Sequence, residues 1–136
     1  MLYDNPWMYD GSPLLELPDK KYIAFVYEIT NKTNGRRYIG KKLFHMSRTK
    51  QVKKKKKRVK VESDWRDYYG SNKELQADVA KLGAENFDRR ILKLCESKGT
   101  ANYWEMKHQI LNEVLESDQW YNDWIMVKVH RSHIKS

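Results

Sequence analysis

Three groups of residues in this 136-residue chain are of types, and at spacings, that could support chemistry. Tyr27 closes the triplet Phe25-Val26-Tyr27, and Tyr38 opens the triplet Tyr38-Ile39-Gly40 eleven positions later. An even-numbered loop between two strands, whether a two-residue Asn34-Gly35 turn or a four-residue loop, puts both phenols on one sheet face. Strand tyrosines commonly do no more than pack, so this pair needs partners. A second group is a polar stripe, Glu105, Gln109, Asn112 and Glu116 at i, i+4, i+7 and i+11 of a helix, turned away from Tyr103, Ile110 and Val114. The third group is cationic. Residues 41–60 hold eleven bases (Lys41, Lys42, Arg48, Lys50, Lys53, Lys54, Lys55, Lys56, Lys57, Arg58 and Lys60) and no acid. The remaining residues carry 16 bases against 18 acids, so the net charge of +9 resides in this one cassette. Such a cassette suits a polyphosphate partner, because each neutralised phosphate releases counterions. A solvated loop or a localisation signal has the same composition.

The elements that must position these groups follow from periodicity. Residues 22–30 are rich in β-branched and aromatic side chains, and Arg36 to Phe44 begin apolar again after Asn31 to Gly35. Strand, Asn-Gly turn, strand describes a hairpin. Ser71-Asn72-Lys73-Glu74 reads as a capping box opening a helix with Leu75, Val79 and Leu82 on one face and Gly83 at its end. Phe87 to Cys95 has a strand's length, Ser97 to Thr100 a turn's composition, and Ala101 to about Glu116 helical periodicity. Trp120, Tyr121, Trp124 and Ile125 read as core anchors. Residues 1–20, with three prolines and Gly11, read as an irregular arm packed by Trp7, Tyr9 and Leu14-Leu15. Five successive lysines cannot form a buried strand, so Lys53 to Lys57 belong to an exposed ribbon or mobile loop. The order β-β-insert-α-β-α-α predicts one α+β domain over 1–136: a three-stranded antiparallel sheet flanked by helices, an arm at 1–20, a basic insertion at 45–63 and a basic tail at 126–136.

Composition narrows the class further. A chain this long can bury a real core, and 40% apolar with 12% aromatic residues is too hydrophobic for disorder. No stretch approaches the ~20 apolar residues of a membrane span, and the first residues lack the pattern of a secretion signal. One cysteine, Cys95, excludes an internal disulfide and an all-cysteine zinc site. The expected setting is the cytoplasm. There is no Gly-rich phosphate loop, no Ser-His-Asp arrangement and no zinc spacing. His130 and His133 sit in the basic tail, where solvation or phosphate contact suits them better than metal binding.

The segment Thr30 to Lys41, preceded by Val26-Tyr27-Glu28-Ile29, resembles the first motif of the GIY-YIG nuclease superfamily. Tyr38-Ile39-Gly40 is intact, while Phe25-Val26-Tyr27 keeps the tyrosine and lacks the glycine. Tyr68-Tyr69-Gly70-Ser71, Glu105 and Tyr121-Asn122 follow in order, so the resemblance spans residues 22–125 and is to short phage members of the homing-endonuclease type. It implies a metal-dependent DNA endonuclease. Glu105 would be the sole protein ligand of a divalent metal, Mg²⁺ or Mn²⁺, a set that one carboxylate, waters and a phosphate oxygen can complete. Tyr27 would activate the attacking water and Tyr38 orient water or phosphate. A phenol with a pKa near ~10 needs help for that. Asn122 would position the phosphate. The basic insertion and Trp65-Arg66-Asp67 occupy the stretch that carries the family's arginine, leaving Lys42 and Arg66 as equal candidates for the catalytic cation and Arg89 behind them. Lys41, Lys53 to Lys57, Arg58 and Lys60 would bind DNA, double-stranded in the first instance, with monomer and homodimer both open. The rival classes are a non-catalytic DNA-binding protein on the same fold and an RNA-binding module, the latter without the usual aromatic sheet motif.

Overall fold

The computed structural model describes residues 5–125 and residue 131; the basic tail at 126–136, Arg131 apart, lies outside the described residues. The strands are β1 (Trp7–Tyr9), β2 (Ser12–Leu14), β3 (Ala24–Asn31), β4 (Arg37–Leu43), β5 (His45–Val52), β6 (Lys55–Glu62) and β7 (Phe87–Cys95). Among the described residues two α-helices, α1 (Lys73–Leu82) and α2 (Lys98–Leu111), pack on opposite sides of the main sheet, and the expected third does not form over residues 112–125.

The predicted hairpin is β3–β4, closed by a four-residue loop rather than by Asn34-Gly35 alone. Asn31 donates to the Arg36 carbonyl, and Tyr27 lies directly opposite Gly40. The loop is even, so Tyr27, Tyr38, Gly40 and Lys42 share a face.

The sheet corrects the three-stranded antiparallel expectation. It has five strands in the order β2-β1-β7-β3-β4, and β1 runs parallel to β7. The arm is therefore not irregular. Its hairpin turns at Asp10 and Gly11, both with positive φ (51° and 83°), the backbone that two-residue hairpin loops require. Burial of Trp7 holds it in place: the indole is 1% exposed, lies 5.0 Å from the Phe25 ring and 5.1 Å from the Tyr27 ring, and donates to the Trp65 carbonyl at 2.6 Å. Tyr9 and Leu15, expected to pack the arm, are exposed.

One face of the sheet carries Phe25, Tyr27, Ile29, Phe87 and Ile91 beneath Trp7, Trp65 and Leu75 of α1. The other carries Ala24, Val26, Ile39 and Cys95 beneath Ala101 of α2 and Val114. The β3–β7 register slips between Val26 and Tyr27, a bulge that re-aims side chains next to the first tyrosine.

Helix α1 begins one residue later than the capping box implies. Asn72 caps it, accepting from Leu75 N at 2.9 Å, and Gly83 ends it with φ 95°. Helix α2 stops at Leu111, short of Glu116, because Glu113 turns to φ 54°.

The basic insertion is an exposed two-stranded antiparallel ribbon, β5–β6, separate from the main sheet. Its root is fixed. Phe44 is buried against Trp65, with ring centroids 5.2 Å apart, and Ser63 donates to the carbonyls of Phe44 and Leu43.

Candidate functional site

A cleft of about 670 Å³ straddles the outer edge of β4. Tyr38 reaches it from one face of the sheet; Lys41 and, on α2, Glu105 and Gln109 reach it from the other. The start of α1 contributes Ser71, Asn72 and Lys73, and the segment after α2 contributes Asn122, Asp123 and Trp124.

The polar stripe of α2 points the opposite way from expectation. Apolar side chains were expected to face the sheet, yet Ile110 is 55% exposed while Gln109 is buried and the Glu105 side chain is 14% exposed. Gln109 donates to the Ile39 carbonyl at 3.0 Å. Burial pushes the Glu105 carboxyl up from its ordinary value, and Lys41, 3.5 Å from Oε1, pulls it partly back. Asn112 caps the end of the helix and Glu116 lies beyond it, so neither extends the stripe into the cleft.

Asn122 acts first as a piece of strand. Its Nδ2 donates to the Ile39 carbonyl at 2.9 Å and its Oδ1 accepts from Ile39 N at 3.2 Å, so one amide satisfies both backbone groups of an edge residue. Two residues earlier the backbone does this itself: Arg37 N donates to the Gln119 carbonyl at 2.9 Å, and the Arg37 carbonyl accepts from Tyr121 N at 2.8 Å. The expected anchors divide here: Tyr121 is fully buried, whereas Trp124 is 66% exposed at the cleft.

Tyr27 lies behind Tyr38. It is 0% exposed, and among the described residues its hydroxyl has no hydrogen-bond partner of good geometry, the Tyr68 phenol being near enough to act on it. Tyr38 (ring centroids 6.2 Å apart) and Tyr68 (5.9 Å, edge-on) cover it. Burial, then the neighbouring phenols of Tyr68 and Tyr38, raise its pKa well above the ordinary value. Gly40 makes room: a Cβ there would collide with the Tyr27 hydroxyl and lie 2.7 Å from its Cζ. The Tyr38 hydroxyl shares a 2.9 Å hydrogen bond with Ser71, which is why Ser71 does not cap α1.

The candidate cations separate. Lys42 pairs with Asp64 at 2.6 Å and sits 4.0 Å over the Tyr68 ring, on the tyrosine face. Arg66 is drawn off to Glu62, Glu16 and the Leu15 carbonyl and stacks on Trp65, outside the cleft. Arg89 is structural: buried between Trp7 and Tyr69, it donates to the carbonyls of Tyr68 and Asn5. Desolvation brings its pKa down to about 10. Of the two lysines that line the cleft, Lys41 and Lys73, it is Lys41 that stands beside the Glu105 carboxylate. Tyr68, Ser71 and Trp124 join the site without a sequence pattern that assigns them a role there; the first two have Tyr68-Tyr69-Gly70-Ser71 as their signal. His108 packs on Trp104 and is not part of the cleft.

Lys53 and Lys54 form the ribbon turn, and Lys55, Lys56, Lys57, Arg58 and Lys60 follow along β6. All of them are solvent-exposed and apart from the cleft.

A carboxylate at the wall of a wide cleft, with one loosely held ammonium as its partner, fits a hydrated divalent cation that accepts a single protein oxygen. Among the described residues no three His, Cys, Asp or Glu side chains cluster to form a fuller cage.

A family described as "Putative endonuclease segE, GIY-YIG domain" matches residues 7–125. "Putative endonuclease segE" of Enterobacteria phage T4 is 35% identical over 99 residues, covering 72% of this chain and 39% of that relative. The chain thus spans about two-fifths of that relative's length. No solved structure matches it.

Proposed function

Since the chain belongs to the GIY-YIG endonuclease family, we propose that it is a metal-dependent endonuclease hydrolysing phosphodiester bonds in double-stranded DNA. The observation that carries this reading is the convergence of Glu105, Lys41 and Tyr38 on one cleft, with the orphan hydroxyl of Tyr27 directly behind.

Each residue has a task that its surroundings suit. Glu105 would hold Mg²⁺ or Mn²⁺, which would supply positive charge to the scissile phosphate. Lys41 offsets further charge as the phosphate becomes pentacovalent, a task that needs a preorganised cation. Lys42 adds to the field from behind Tyr68. Asn122 and Gln109 keep the Ile39 backbone, and with it Tyr38, at a fixed depth. Tyr38 exchanges its Ser71 hydrogen bond for one to water or phosphate. Tyr27, with free lone pairs, accepts from the attacking water once Tyr38 moves aside. The water oxygen forms the new bond to phosphorus as the bond to one ester oxygen breaks; the Tyr27 hydroxyl takes the water's proton while passing its own by way of Tyr38 to solvent, and the departing ester oxygen takes a proton from solvent water and leaves as an alcohol.

Incubation of supercoiled plasmid with Mg²⁺ and the protein tests this directly. Nicked or linear product from wild type, and none from Glu105→Ala with DNA binding retained, is the expected result. Binding without cleavage by wild type would identify a non-catalytic DNA-binding protein instead. Cutting at one site would mark a homing-type enzyme, and cutting at many sites a general phage DNA-processing nuclease in the host cytoplasm.

A further inference from the structure

The β5–β6 ribbon has two different faces. Successive cross-strand pairs on one face are Ser47 with Lys60, Thr49 with Arg58, and Gln51 with Lys56, each joining a neutral hydrogen-bonding side chain to a cation. The opposite face pairs Met46 with Val61 and Arg48 with Val59 near the root, then Lys50 with Lys57 and Val52 with Lys55 toward the tip. Residues 46–58 are all exposed. Two features of this ribbon are unfavourable without a ligand. Lys50 and Lys57 stand directly opposite each other, a like-charge pair that weakens a hairpin. The turn places Lys53 and Lys54 at φ 49° and 64°, where asparagine and glycine would be at ease. A polyanion relieves the first and makes use of the second.

We infer that the ribbon enters the major groove of duplex DNA and that the face bearing Ser47, Thr49, Gln51, Lys56, Arg58 and Lys60 reads base edges. The inference rests on the DNA reading above and names its specificity element. A two-stranded ribbon fits a groove about 12 Å wide; glutamine suits adenine, arginine suits guanine and the threonine methyl suits thymine. Rows recur every ~6.8 Å along the strands, so three rows cover about five base pairs. β4 runs on through Phe44 into β5, and Thr49 lies nine residues beyond Gly40. That span is at most about 30 Å, so the base pairs read lie within about one helical turn of the cut.

The test uses the full chain in EDTA, with randomised 40-base-pair duplexes selected for binding. Wild type should enrich a short motif, lose it when guanine N7 is methylated, and ignore the minor-groove ligand netropsin. The double variant Thr49→Val/Gln51→Met keeps charge, shape and strand preference; it should keep bulk affinity and salt slope within two-fold while enriching no motif at the corresponding positions. Unchanged motif enrichment by that variant, or competition by netropsin without an effect of N7 methylation, would overturn groove reading. Plasmid cleavage in Mg²⁺ would still stand in that event. Absence of both duplex binding and plasmid cleavage would instead remove the DNA reading itself, and binding of A-form RNA duplex alone would do the same, because its deep, narrow major groove does not admit the ribbon.

Discussion

The hydroxyl of Tyr27 is a cost to the fold, and the catalytic role proposed for it would account for that cost. It is buried without a partner of good geometry, so Tyr27→Phe should raise stability by about 1 kcal/mol in urea unfolding while plasmid cleavage falls by orders of magnitude. Equal activity in the two proteins would show that the ring merely packs. Its raised pKa also sets an alkaline limit. Above pH ~10 the unfolded chain releases this proton and the folded chain keeps it, so stability falls as pH rises through that value. The Phe variant should show a shallower fall between pH 9 and 11. Glu105 follows the same sign at lower pH. Its carboxyl is raised, so its contribution is present below the ordinary glutamate value and lost above it. Glu105→Gln should therefore melt higher than wild type at pH 7 without metal, and added Mg²⁺ should raise the Tm of wild type only. The shared face of Tyr27 and Tyr38 was legible because parity alone decides it. The direction of Glu105 was not: with Gln109 it turns inward against the rule that apolar helix positions face the core, a breach that the proposed metal role would account for. Ser71 was misassigned because two cap-competent residues stand side by side and Tyr38 takes one of them.

Among the elements, the hairpin, α1, the body of α2 and the third strand were legible from local pattern; β1 was not, Lys98 to Thr100 belong to α2 rather than to a turn, and no last helix forms over residues 112–125. Strand β1 is a three-residue strand in a proline-rich stretch, stabilised by a tryptophan whose partners lie far along the chain. The ribbon was foreseen as exposed, and its turn supplies a sharp test. Lys53→Asn/Lys54→Gly relieves backbone strain, so hydrogen exchange in β5 and β6 should slow while DNA affinity falls. Affinity that rises with the added order would show that the tip lysines do not touch DNA. Gly40→Ala tests the packing of β3 on β4. The new Cβ collides with Tyr27, and a loss of about 1–3 kcal/mol is expected from overpacking a core that cannot give. The same change in Tyr27→Phe should cost less, since the colliding oxygen is gone.

For the whole molecule, charge is partitioned rather than spread. The near-neutral body holds the cleft and the ribbon holds the surplus, so affinity and turnover should be separable by mutation. Replacing Lys53, Lys54, Lys55, Lys56 and Lys57 by serine should weaken binding to all sequences; loss of three phosphate contacts would lower the salt slope by roughly 2.7. Turnover at saturating DNA should stay near wild type, and an unchanged slope would remove the ribbon from the interface. The strand order has a consequence in time. Strand β7 is the middle of the sheet, and Met8 pairs with Arg90. A ribosome adding about 5–20 residues per second makes the first of these partners roughly 4–16 s before the second. Until then the two hairpins that belong to the main sheet, β1–β2 and β3–β4, have no strand between them, and each is marginal alone. Synthesis interrupted before Phe87 leaves two halves of a sheet with nothing to join them.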